Sequence, residues 1–109
     1  MATNYKILGQ NKPSAQTSTT LYTCPASTEA VISTISACNV GESPAKIIIS
    51  IIPSGQTEEK KHHYIFNTEI SFPETLSNTI GITLSQGDFV NVYSTSGEVS
   101  FHVYGSEIS

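Results

Sequence analysis

The sequence predicts an all-β fold: a single antiparallel β-sandwich of about eight strands over residues 1–109, jelly-roll-like by preference, with an immunoglobulin-like sandwich as the alternative. Three observations carry this. Polarity alternates with a period of two in short segments, which is the signature of half-buried strands. Gly, Pro, Ser and Asn interrupt those segments at the spacing expected of a sandwich or barrel. No apolar stripe at i, i+3, i+4, i+7 persists for three turns, so helix is confined to a turn or so. A chain of 109 residues buries roughly two-thirds of its unfolded surface, enough to fold without a metal or a disulfide.

Taken in order, the first strand is expected over Tyr5 to Gly9, followed by a polar loop to Ala15 in which Pro13 cannot donate to a ladder. The second runs from Thr17 to Cys24 and stops at Pro25, and the third covers Glu29 to Asn39, with Ile35 and Ala37 on the face of Val31 and Ser33, and Ile32 on the other. Lys46 to Ile52 is apolar on both faces, with Ile47, Ile49 and Ile51 on one side and Ile48, Ser50 and Ile52 on the other. A strand of that kind either lies beneath a covering loop or lends its outer face to another subunit.

After Pro53-Ser54-Gly55, His62 to Asn67 carries Tyr64 and Phe66 on one face and pairs with the preceding strand as a hairpin. Glu69 to Ser77 reads as a kinked connection crossing between sheets around Pro73, anchored by Ile70, Phe72 and Leu76. Asn78 to Leu84 aligns Ile80, Ile82 and Leu84, and Ser85-Gln86-Gly87-Asp88 predicts a tight hairpin into Phe89 to Ser94. The last strand, Glu98 to Tyr104, puts Val99, Phe101 and Val103 inward and Ser100, His102 and Tyr104 outward.

Charge narrows the function. A net charge of -4 with five Lys plus Arg leaves too few cations for a counterion-releasing nucleic-acid surface. The stretch from Met1 to Gln10 lacks a basic segment followed by an apolar run, and no apolar stretch approaches the roughly 20 residues that span a bilayer. Neither nucleic acid nor membrane is an expected partner. Cys24 and Cys38 lack the spacing of a zinc or dithiol site and read as reduced, partly buried small apolar residues, with one disulfide as the alternative.

Catalytic signatures are likewise missing. There is no G-x-S-x-G elbow, and Ser54-Gly55 and Ser96-Gly97 follow turn chemistry. His62 and His63 point to opposite faces of a strand and would need His102 as a third ligand, so they read as solvated strand-end histidines. Glu58 to Lys61 reads as an exposed charged tip, and Asp88 as a turn-former. The expectation is no catalytic residue, no metal and no cofactor. Candidate partner-interface residues are Ile48 and Ile52 on the second apolar face of their strand, together with Tyr64 and Tyr104, rings with polar tips suited to docking. Tyr22 and Tyr93 belong to the same set of tyrosines that offers a sugar-stacking or docking surface.

A set of strand-and-turn patterns runs through Tyr5-Lys6-Ile7-Leu8-Gly9-Gln10, Leu21-Tyr22-Thr23 with Pro25-Ala26-Ser27-Thr28, and Ser33-Thr34-Ile35 leading to Cys38-Asn39. It continues through Ile82-Thr83-Leu84-Ser85-Gln86-Gly87-Asp88 and Ser100-Phe101-His102-Val103-Tyr104-Gly105. In these patterns, across nearly its whole length, the chain resembles a family of small virion structural proteins encoded by tailed bacteriophages, notably phages of marine and freshwater bacteria. The resemblance implies a non-enzymatic particle component made in the host cytoplasm, homo-oligomeric, with capsid or tail proteins as partners. Capsid decoration and tail attachment both fit. A tail adhesin holding host glycans is the first alternative, and a small hydrolase or metal-dependent enzyme the second.

Overall fold

A computed structural model describes residues 3–109, apart from the side chain of Ile80; the expected facing of Ile80 therefore lies outside the described residues. The described residues form eight strands: β1 (Thr3–Asn11), β2 (Thr19–Thr23), β3 (Glu29–Asn39), β4 (Ala45–Ile52), β5 (His63–Ile70), β6 (Thr75–Leu84), β7 (Phe89–Ser94) and β8 (Val99–Ile108), with one 3₁₀ turn at Lys60–His62. The first sheet has the order β1-β8-β3-β6 and the second β2-β7-β4-β5, all pairs antiparallel. Each strand of the first half pairs with its mirror in the second half: β1 with β8, β2 with β7, β3 with β6, β4 with β5. That is the double Greek key of a jelly roll, and it excludes the immunoglobulin-like alternative.

Between the sheets lies one core. β3 contributes Ala30, Ile32, Ile35 and Ala37, β4 contributes Ile47 and Ile49, β7 contributes Val90 and Val92, and β8 contributes Val99, Phe101 and Val103, all buried. Burying each larger side chain is worth about 1.5–3 kcal/mol. Strands rich in β-branched residues suit this surface because their side chains pack on a pleat with little rotamer freedom to lose.

Two expectations are corrected. Ser85–Asp88 is not a hairpin turn: β6 belongs to the first sheet and β7 to the second, so the turn carries the chain across the sandwich. Asp88 still shapes it, its carboxylate accepting the backbone N–H of Ser85 at 2.8 Å and of Ser54 at 2.9 Å. The inward face of β3 also changes phase. Ala30 and Ile32 are buried before a register shift between Ile32 and Thr34, and Ile35 and Ala37 after it. One extra residue at Ser33 sends the following side chains to the other face.

Elsewhere the expected path holds with small shifts. The chain does cross between sheets near Pro73, but through a short turn over residues 71–74, with Ile70 buried and Phe72 exposed rather than anchoring it. Both cysteines are free, Cys24 buried and Cys38 half-exposed. No helix among the described residues is long and apolar enough to cross a membrane.

Candidate binding groove on the second sheet

The outer face of the second sheet carries a polar row four strands wide. Thr20 of β2 lies opposite Asn91 of β7, Asn91 opposite Ser50 of β4, and Ser50 opposite His63 of β5. Pro53 leads the chain away from β4, and residues 53–62 fold back over this face, the 3₁₀ turn packing against β4. Glu58 is thereby laid across the row. Its carboxylate accepts the Ser50 hydroxyl at 2.8 Å, the Asn91 amide at 3.1 Å and the Ser18 hydroxyl at 3.4 Å, while Thr20 donates to the Asn91 carbonyl at 2.8 Å.

Donor counting fixes the tautomer of His63. A carboxylate only accepts, so Ser50 spends its one proton on Glu58, and its oxygen accepts from the Nδ1–H of His63 at 2.7 Å. His63 Nδ1 stands 3.7 Å from Glu58. His62 is buried and has both nitrogens engaged: Nδ1 accepts the Glu59 backbone N–H at 2.9 Å and Nε2–H donates to the Gln56 side-chain carbonyl at 3.1 Å. His102 sits on the other sheet, where Gln10 donates to its Nδ1 at 3.0 Å. The three histidines are thus held apart, and His62 is a buried turn residue rather than a solvated strand end. The expected charged tip at Glu58 is corrected too, since that carboxylate lies against the sheet.

Beside the polar row the next row, Ile48 and its partner Tyr93, floors a groove of about 450 Å³ bounded by Ser18, Glu58, Glu59, Lys60 and His63. A second hollow of about 290 Å³ adjoins it, lined by Lys60, His63 and Phe66. Phe66 is exposed and stacks on the His63 ring, centroids 5.0 Å apart. An apolar floor with a charged rim is the layout of a protein-docking patch. Ser50 is fully buried beneath Glu58, and a serine so placed cannot reach a substrate.

Of the four candidate interface residues, Ile48 is half-exposed in the groove. Ile52 is fully buried, at the end of β4 just before the chain turns at Pro53. It is unavailable to a partner as the chain stands. Tyr64 is half-buried against the core. Tyr104 lies on the first sheet, stacked on His102 with centroids 6.2 Å apart. Ile48 and Tyr104 therefore mark opposite sides of the sandwich. Tyr22 leaves the surface set altogether: it is buried, and its hydroxyl donates to Glu107, which also pairs with Lys6 at 2.7 Å. Burial and the neighbouring carboxylate raise the Tyr22 phenol well above its usual range, while the hydrogen bonds from Lys6 and Tyr22 hold Glu107 below its own. Sequence reasoning missed Ser18, Glu58 and Lys60 as groove residues and Phe66 as part of the adjoining hollow. The signal was there in Ser50, a lone hydroxyl in an isoleucine run with carboxylates a few residues on.

No protein-family model and no curated protein matches the chain. Among solved structures, a chain from the crystal structure of the T13 IBDV viral particle, described as revealing a missing link in icosahedral virus evolution, superposes with a TM-score of 0.56 at 9% identity. The match covers 97% of this chain and 30% of that chain. At such low identity the likeness is one of fold: nearly the whole of this chain corresponds to less than a third of a chain in that particle.

Proposed function

We propose that this chain is a non-enzymatic structural component of a virus particle, of the tailed-bacteriophage kind its sequence resembles, attached to the capsid or tail lattice through protein–protein contacts. The observation that supports it most is the mirror-paired strand order, a jelly roll of the architecture used in viral capsids, together with fold likeness to a chain of the IBDV particle. The groove over the second sheet supplies the attachment surface: Ile48 and Tyr93 give the desolvated centre, and Glu59 and Lys60 the polar rim. Decoration of the capsid is the finer reading, since a compact sandwich with one outer face built for docking suits repeated attachment to a lattice.

The test is to purify particles on a density gradient, identify the chain in them by mass spectrometry, and locate it by electron cryo-microscopy. It is expected on the shell, with the Ile48 face inward. Ile48→Lys keeps its fold, because Ile48 is half-exposed, and lowers occupancy on the particle at least tenfold. Normal occupancy of that variant removes the groove from the interface, and absence of the chain from purified particles removes the reading. The adhesin alternative rests on the exposed Phe66 plate stacked on His63 beside Lys60, a surface on which a sugar ring can lie. A glycan array without signal discards it.

A further inference from the structure

We propose that the outer face of the first sheet is a self-association surface on which a second copy of this chain docks. The inference goes beyond attachment to a lattice, because it concerns the sheet opposite the groove. The register places Ile7, Tyr104, Thr34 and Thr79 in one cross-strand row and Gln10, His102, Ser36 and Ser77 in the next. The flanking rows hold Tyr5, Ser106, Val31 and Thr83 on one side and Ser100, Cys38 and Thr75 on the other. Across these four rows no side chain carries a formal charge, whereas the molecule as a whole has a net charge of -4. Along the β1 margin the face is apolar: Tyr5 is 85% exposed and Ile7 54% exposed, on the same side as Tyr104.

A second copy is the occupant these features fit. Two like-charged molecules repel wherever their acids face each other, and this sheet is where they can meet without opposing charges. A partner chosen by charge finds nothing to read. Hydroxyls donate and accept, so rows of Ser and Thr complement themselves, as an isologous two-fold contact requires. The Tyr5, Ile7 and Tyr104 strip is self-complementary in the same way, and charge-poor, tyrosine-bearing patches are typical of interface centres. The second sheet differs, its outer face being partly closed by residues 53–62 of the same chain. Four strands about 4.8 Å apart and four rows about 6.7 Å apart cover roughly 500 Å² per copy, or about 1,000 Å² for a pair. That lies at the weak, transient end of specific interfaces, so the dimer forms at high concentration in solution.

Sedimentation velocity of the isolated chain, from roughly ten micromolar to one millimolar, tests this without any particle. A shift from monomer to dimer is expected. Ile7→Lys and Ser77→Lys, both at exposed positions, should hold the chain monomeric with an unchanged melting curve, whereas Ile48→Lys on the opposite sheet should dimerise like the parent. A second readout is alkylation of half-exposed Cys38, which lies within the face; its rate should fall severalfold as the dimer fills. A parent chain that stays monomeric overturns the proposal. So does equal dimerisation by the two lysine variants, or loss of the dimer in Ile48→Lys. None of these outcomes bears on whether the chain is found in particles.

Discussion

Glu107 shows how one side chain joins sheets and sets the response to pH. It sits on β8 of the first sheet, accepts the phenol of Tyr22 from β2 of the second, and pairs with Lys6 of β1. Its carboxyl is held below its ordinary value, chiefly by the Lys6 hydrogen bond and then by that of Tyr22. A depressed folded pKa means that its contribution is fully present above the unfolded value of about 4.3 and is lost as pH falls through the lower folded value. Glu107→Gln should therefore cost on the order of 1 kcal/mol at neutral pH, the scale of a charge-assisted bond with one partner half exposed. The gap to the parent should close between about pH 5 and pH 2. Urea titrations at a series of pH values measure it, and a gap that does not change with pH would refute the assignment. Tyr22 acts with the opposite sign: its phenol is raised by burial first and Glu107 second, so its contribution holds below about pH 10 and is lost at higher pH.

The cysteines divide by burial in a way that the sequence only half reveals. Cys24 is 2% exposed, its thiol donates to the Thr28 carbonyl at 3.3 Å, and burial raises its pKa. Cys38 faces outward and is half-exposed. An alkylating reagent at neutral pH should add one equivalent to the folded monomer, at Cys38, and a second only on unfolding. Peptide mapping identifies the modified residue, and prompt labelling of Cys24 would contradict its burial. The sequence reads both as partly buried small apolar residues; which one lies inside was not legible, because for Cys38 it depends on the phase of β3. Asn39 was equally hidden. It is fully buried, its amide donating to the carbonyls of Ser43 at 2.8 Å and Ile70 at 2.9 Å, partners that only the folded chain brings near.

At the scale of elements, period-two patterning locates all eight strands to within a few residues, and the isoleucine run identifies β4 as apolar on both sides. What patterning cannot show is where the period breaks. β1, β3 and β6 each shift register opposite the same part of the first sheet, between Ile7 and Gly9, between Ile32 and Thr34, and between Thr79 and Ile82. Gly105 of β8 stands at this level, and a Cβ there would collide with the Val31 carbonyl oxygen. Gly105→Ala should thus cost about 2–3 kcal/mol by overpacking, while Gly81→Ala, which meets nothing, should cost little. Thermal melts of the two variants decide this. Equal stability would mean that the backbones there are not in close approach. The groove escaped detection for a related reason: Glu58 reads as a soluble tip until the segment after Pro53 turns back and places it over Ser50.

For the whole molecule, strand order governs how the chain can assemble. Strands from the two halves pair in nested fashion, so loop length grows from the centre outward. Closing β4 on β5 spans residues 53–62, whereas closing β1 on β8 spans residues 12–98, a loop roughly nine times longer that costs about 2 kcal/mol more in chain entropy. Ordering the inner pair first shortens every loop that follows, so the β4–β5 pair is expected to be formed in the folding transition state and the β1–β8 pair to close after it. Ile65 on β5 lies opposite Ile49, and Leu8 on β1 packs on the core from the far side of the nest. Each is partly buried, and truncation to alanine should remove about 1–2 kcal/mol. Ile65→Ala should show its loss mainly as slower folding and Leu8→Ala mainly as faster unfolding. Stopped-flow chevrons of the two variants separate these outcomes. A larger fractional effect on folding rate from Leu8→Ala would mean that the ends of the chain meet early, and that nesting does not order the steps.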